Sequence, residues 1–195
     1  MSSCKRPRTI SRAWALLALL ATAPAWAATF KVGSDASCTH GSIQAAVDAA
    51  MANGADTFDV IRIARNGAYV GQAIVIIGQA VTLRGGYPDC AAAIPSGDPT
   101  LIDGNGNGGM PVVTVANPST TRRTAGLLNL TITRGTRLAG DGGGVHASGN
   151  MVLNIQGVIL SENRAARGGA IYAIGDTPTQ TLALSIGADN TAQRN

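Results

Sequence analysis

From residue 28 onward the chain alternates short apolar runs with polar turns. The runs Thr29–Val32, Val60–Ala64, Ile74–Ile77, Val81–Arg84, Thr100–Asp103, Pro111–Val115 and Leu127–Thr133 are strand-sized and mostly β-branched or aliphatic. They predict strands, being too short for helices. Gly, Asn, Asp or Pro stands between them, as tight corners require. One segment follows a helical period instead. Across Gly41–Asn53, residues Ile43, Ala46, Val47, Ala50 and Met51 form a single apolar stripe, and Asn53-Gly54 supplies a stop. Tyr87–Pro99 and Ala116–Ala125 are too polar and proline-containing for strands. They are predicted as loops leaving the wall, where solenoids usually carry binding.

The pattern also repeats. Gly142-Gly143-Gly144-Val145-His146-Ala147 returns as Gly168-Gly169-Ala170-Ile171-Tyr172-Ala173. A β-prone run ending in a polar turn precedes each copy: Leu130–Gly135 and Val158–Asn163. Leu182–Ile186 and Asp189–Ala192 begin a third round. Self-similarity at this period, built of strand-sized pieces, points to a solenoid. The Gly pairs would break a helix, and no helical crossover lies between the runs. The predicted fold is therefore all-β, a parallel β-helix, right-handed by the general rule for parallel crossovers. The lone amphipathic helix has a physical task as an N-terminal cap over the open end of the first coil. A partner-binding face is the rival role for it.

Composition sets the address. Residues 1–27 read as a secretory signal: Lys5, Arg6, Arg8 and Arg12, then apolar Ala13–Ala23, then the small-x-small site Ala25-Trp26-Ala27. The apolar run is shorter than the ~20 residues a membrane span needs, and Cys4 precedes it, out of place for a lipid anchor. Four of the 15 Lys+Arg and none of the 11 Asp+Glu fall in this segment. The remaining chain is balanced in charge, with no basic patch to argue for nucleic acid. The expected organisation is signal 1–27, cap 28–57 and β-helix 58–195, with no membrane span after the signal. Among 195 residues there are 25 Gly but only 4% aromatics, so the coil interior must be aliphatic and thin. In an exported chain the two remaining cysteines, Cys38 and Cys90, are expected to form a disulfide.

The opening Ser42-Ile43-Gln44-Ala45-Ala46-Val47-Asp48-Ala49-Ala50 resembles the cap helix of secreted parallel β-helix proteins of the pectin-lyase-like superfamily. Leu160-Ser161-Glu162-Asn163 followed by Gly168-Gly169-Ala170-Ile171-Tyr172 resembles the repeat of the polymorphic outer-membrane proteins, Phe-x-x-Asn then Gly-Gly-Ala-Ile. Leu160 stands where that repeat has Phe, and Gly187-Ala188-Asp189-Asn190 keeps only the Asn. The resemblance implies right-handed coils and a surface or secreted role. It implies a non-enzymatic, adhesin-like or passenger-type module whose partner is an extracellular polysaccharide or a cell-surface ligand. Because the superfamily also contains pectate lyases and polygalacturonases, the alternative is a polysaccharide lyase or glycoside hydrolase. Those enzymes use paired carboxylates or an acidic Ca²⁺ cluster with a basic residue, whereas the acidic residues here are scattered.

Candidate chemistry is thin. Asp141 and His146 flank a Gly run and are the nearest thing to an acid/base pair, though a turn residue and an outward strand residue explain them better. Asp103, Asn105 and Asn107 match the start of a calcium loop, but Thr114 stands where the bidentate Glu would be. A solenoid corner is the simpler expectation, and no other cofactor is expected. Asn163 and Asn190, with Gly168, Gly169, Ala170 and Ile171, are expected to be structural, the Asn side chains forming a ladder between coils. Trp and Tyr side chains for sugar stacking are scarce: after residues 1–27 no Trp remains, only Tyr69, Tyr87 and Tyr172. At the far end no cap pattern follows Leu182, Leu184 and Ile186. The expectations there are a longer surface protein, or a last coil that pairs with something, end-to-end self-association included.

Overall fold

The computed structural model describes residues 26–175 and 180–195, and the chain winds as a parallel β-solenoid of about five turns. The signal expected at 1–27 lies almost wholly outside the described residues. The strands are β1 Thr29–Val32, β2 Asp59–Ala64, β3 Ile74–Ile77, β4 Val81–Tyr87, β5 Thr100–Asp103, β6 Val113–Asn117, β7 Arg123–Leu128 and β8 Leu130–Thr133. They continue as β9 Thr136–Asp141, β10 Val145–Gly149, β11 Met151–Gln156, β12 Ile159–Ser161, β13 Arg164–Arg167, β14 Ile171–Ile174, β15 Leu182–Ile186 and β16 Thr191–Gln193. One wall has the order β1-β2-β4-β7-β11-β15, a second β3-β6-β10-β14 and a third β5-β8-β12-β16, while β9 and β13 form a short extra ribbon. The chain passes from wall to wall and returns one rung further on, so its strand neighbours are parallel.

Burial follows the register. Ile61, Leu83, Leu127 and Ile155 are partners on successive rungs of the first wall and are at most 2% exposed. Ile102, Ile132 and Leu160 stack likewise in the third wall, and Ile74, Val113 and Val145 in the second. Each such side chain contributes up to ~1.5–3 kcal/mol of hydrophobic stabilisation. The interior is aliphatic, as the composition requires.

The helix α1 spans Ile43–Asn53. It starts at the first residue of the apolar stripe, two residues later than the predicted segment Gly41–Asn53, because Ser42 is its N-cap and accepts from Ala45 N at 3.2 Å. Ile43, Ala46, Val47 and Ala50 are buried against the first coil, whereas Met51 is 46% exposed and lies off the packed face. The helix ends at Gly54, whose φ of 114° suits glycine.

Four predicted segments differ. Leu127–Thr133 is two strands, because Asn129 takes a left-handed φ of 52° and turns the chain from the first wall to the third. The stretch from Tyr87 is not all loop: β4 runs through Gly85-Gly86 to Tyr87, which is 2% exposed. The glycines that read as a turn form a register shift opposite Arg62–Ala64. Ala116–Ala125 is loop only at residues 118–122, since β6 runs through Asn117 and β7 begins at Arg123. Its polar Asn117, 1% exposed, is satisfied by donating to Thr121 O at 2.8 Å and Asn150 O at 2.5 Å. Finally, Leu160-Ser161 pairs with Ala192-Gln193, so the next copy of Leu160–Asn163 is Ala192–Asn195 and not Gly187–Asn190.

Candidate functional site

Along the first wall the outward positions form rows. Lys31 on β1, Arg62 on β2 and Arg84 on β4 are register partners, half-buried, and point the same way on consecutive rungs. Adjacent strands lie about 4.8 Å apart, so three cations stand in a line at that spacing. Like charges directly opposite across a pair are destabilising. Nothing in the row offsets this. Among the described residues the ion pairs are Arg123–Asp56, Arg134–Asp103, Arg167–Asp141 and Arg194–Glu162, none of which involves the row. The Arg62 guanidinium lies 5.4 Å from the centre of the Tyr87 ring, a cation–π contact that positions it. Arg62 Nε and Arg84 Nε are buried with no hydrogen-bond acceptor within the described chain.

The same row continues over Leu128 and Gln156. Beside it runs Thr82, Gly126, Asn154 and Ser185. With no side chain at Gly126, a groove of 360 Å³ opens between Thr82, Leu128, Asn154, Gln156 and Ser185. A Cβ at Gly126 would stand 2.8 Å from Thr82 Oγ1. The face therefore offers cations over the first rungs and amide and hydroxyl groups over the later ones. It can take up an extended, anionic, hydrogen-bonding ligand.

A second groove, of 510 Å³, lies between Arg134, Arg164, Arg194, Thr136, Leu138 and Glu162. Its charges are largely spent within the protein. Arg134 is held by both oxygens of Asp103, and Arg194 pairs with Glu162 at 3.2 Å. Beyond it, Arg167 Nε donates to Asp141 Oδ1 at 2.7 Å and Arg167 Nη2 to Oδ2 at 2.5 Å, which holds the Asp141 carboxyl below its ordinary range. Arg167 also covers the Tyr172 ring at 5.1 Å, and His146 stacks on that ring with centroids 5.6 Å apart. Asp141 and His146 are thus neighbours, with the carboxylate engaged by Arg167 and the imidazole by Tyr172.

The calcium-loop residues form a corner. Asp103 is 1% exposed, and its Oδ1 accepts from Asn105 N at 2.9 Å as well as from Arg134. Asn107 Nδ2 donates to Gln72 O and Met110 O, and Gly106 and Gly108 have φ of 83° and 75°. A guanidinium bound to the one carboxylate opposes a cation there. Among the described residues one cluster of three His, Cys, Asp or Glu side chains has metal-like spacing: Asp35, Cys38 and Cys90. Its thiols are joined to each other, with Cα atoms 5.1 Å apart, as expected of these cysteines. Asp35 accepts from Cys90 N at 3.0 Å and Asn66 Nδ2 at 2.8 Å, which lowers its carboxyl to about 2.

The structural residues divide. Asn163 is fully buried; its Oδ1 accepts from Gly135 N, and its Nδ2 donates to Ile132 O and to Asn195 Oδ1. Asn190 sits at a different corner, bonded to Val158 N, Ile155 O and Gly187 O. The Asn ladder therefore joins Asn163 to Asn195, correcting the expectation for Asn190. Gly168 has φ 60°, matching Gly142 at 72° in the coil below, and Gly169 O accepts from Gly144 N. Ala170 and Ile171 then enter the second wall, half-buried. Tyr69 and Tyr87 are buried, Tyr69 donating to Val32 O and Ala64 O with its hydroxyl pushed up to about 12 by burial and by Asp35.

The cation row escaped a reading of net charge because its members are a whole coil apart in sequence. The recoverable signal is Arg62 and Arg84 at the same place in Asp59-Val60-Ile61-Arg62 and Val81-Thr82-Leu83-Arg84, with Lys31 in Phe30-Lys31-Val32. Comparison with protein-family models, with curated proteins and with solved structures found no match to this chain.

Proposed function

We propose that this chain is an exported, non-catalytic binding module of a bacterial surface or secretion. Its ligand is an extended anionic polymer, an acidic polysaccharide, laid along the outward face of the first wall. The observation that carries this reading is the row Lys31–Arg62–Arg84, three aligned cations with no ion-pair partner among the described residues. A row that opposes the fold electrostatically is explained by a ligand whose charges repeat along one line. The groove at Gly126, with Thr82, Asn154, Gln156 and Ser185 along it, extends the same face toward a ligand with hydroxyl groups.

The leader-like residues 1–27 and the disulfide support export. The likeness of Leu160–Tyr172 to the repeats of polymorphic outer-membrane proteins supports a passenger-type place at the cell surface. The likeness of residues 42–50 to cap helices of the pectin-lyase-like superfamily supports kinship with that group, although fold alone does not carry activity. Asp103, Asp141 and Glu162 are each tied to a separate arginine, which favours binding over acid/base chemistry. The test is incubation of the processed chain with polygalacturonate, alginate and neutral dextran, with and without Ca²⁺. Retention of the acidic polymers alone, with no new reducing or unsaturated ends, is the expected result. New ends that vanish in Arg62→Ala would make the same face a lyase or hydrolase site.

A further inference from the structure

Asp59 opens β2 and is 1% exposed, yet no lysine or arginine forms an ion pair with it among the described residues. Its protein partners are neutral. Asn53 Nδ2 donates to Oδ1 at 2.9 Å and to Oδ2 at 3.2 Å, and Thr57 Oγ1 stands 3.0 Å from Oδ2. The remaining contact is the shortest: Ala28 N donates to Asp59 Oδ1 at 2.6 Å. A buried carboxylate served by neutral donors alone is costly, because no opposite charge replaces its lost hydration.

Ala28 is also where the coil begins. Val60 N donates to Ala28 O at 2.9 Å, the first bond of the ladder between β1 and β2, while Trp26 and Ala27 are exposed. The small-x-small segment Ala25-Trp26-Ala27 ends at the same peptide bond. A cleavage mark in the sequence and the first laddered residue of the fold therefore coincide.

We propose that hydrolysis of the Ala27–Ala28 bond completes the fold by converting the Ala28 amide nitrogen into an α-ammonium that forms an ion pair with buried Asp59. This rests on the export reading above. A peptidase and one water are the only reactants; the C–N bond breaks, Ala27 keeps the carboxylate and Ala28 the ammonium. The nitrogen already stands at hydrogen-bond distance from Oδ1, so processing changes its charge and its number of N–H groups, with the site otherwise built. Cleavage also releases Trp26 O, which now accepts from Asn53 Nδ2 at 2.8 Å, leaving that donor to Asp59. Asn53 is the last residue of α1 and Asp59 the first of β2, so the new charge ties the capping helix to the first wall.

Three measurements test this. The chain with its leader is exported from a secretory host and the product's N-terminus is read by mass spectrometry. The processed chain and its Nα-acetylated form are then melted, alone and with Asp59→Asn. A product beginning at Ala28 is expected, with the free amine melting at least ~3 °C above the acetylated form. In Asp59→Asn that difference should vanish. The Ala28 amine should also react several-fold more slowly with trinitrobenzenesulfonate in the native protein than in Asp59→Asn. Equal melting of free and acetylated chains overturns the ion pair, and that comparison needs no substitution in the core. A product processed elsewhere overturns the inference while leaving export standing. No exported product sinks the export reading, and the melting comparison still decides the ion pair.

Discussion

Gln44 and Val75 are joined by two hydrogen bonds: Val75 N donates to Gln44 Oε1 at 2.8 Å, and Gln44 Nε2 donates to Val75 O at 3.2 Å. Val75 lies on β3, the outermost strand of the second wall. One side-chain amide thus occupies the place of the missing next strand and blunts an edge that could pair with another chain. Gln44→Leu keeps the size and removes both bonds. Its expected cost is about 1–2 kcal/mol in urea unfolding, since Val75 is half-buried and water replaces part of the loss. Amide exchange at Val75 should accelerate more than at Val113, which sits one rung inside.

Asn163 and Asn195 carry the analogous task at the corner after the third wall. Asn163→Ala leaves Gly135 N and Ile132 O without their partner in a fully buried place. About 3 kcal/mol of destabilisation is expected from two abandoned backbone groups. Asn190→Ala, at a half-buried corner, should cost less than half as much. Equal costs measured by chemical denaturation would contradict the separate registers of the two residues.

The disulfide loop should respond to acid through Asp35. Its carboxyl is lowered from 3.8 to about 2 in the folded chain, first by the Cys90 N–H and then by the Asn66 amide. A depressed folded value means that the contribution is fully present above about 4 and is lost as pH falls toward 2. Melting temperature should therefore fall more steeply over that window in the native chain than in Asp35→Asn. Parallel acid limbs would show that Asp35 is not the group responsible.

The walls were legible because side chains inside a coil must be apolar and those at corners must turn. Ile74–Ile77 and Thr100–Asp103 were readable with their bounds for that reason. Asn163 was readable as a structural bridge between coils, whereas Asn129 was hidden inside one predicted strand and Asn117 inside a predicted loop, although each closes a corner. The ribbon β9–β13 was missed because Thr136–Asp141 and Arg164–Arg167 are too exposed to carry an apolar pattern. The disulfide was accessible from the cysteine count and the expectation of export. The row Lys31–Arg62–Arg84 was not, because register, unlike composition, is fixed only when coils stack.

The row should also set stability. Arg84→Gln removes the last cation of three and relieves repulsion across the β2–β4 pair. A gain of a few tenths of a kcal/mol is expected at low ionic strength, fading as salt screens the neighbours. Loss of stability at every salt concentration would show that Arg84 is held for packing.

The most direct test of the binding face is calorimetric titration of the processed chain with polygalacturonate oligomers at low and high salt, beside Arg62→Ala/Arg84→Ala. The expected result is binding that weakens with salt and falls at least ~10-fold in the double variant, a change of about 1.4 kcal/mol. Neutral oligomers of the same length should give no heat. Binding of the acidic oligomers that is equal in the native chain and the double variant, or insensitive to salt, would contradict the account.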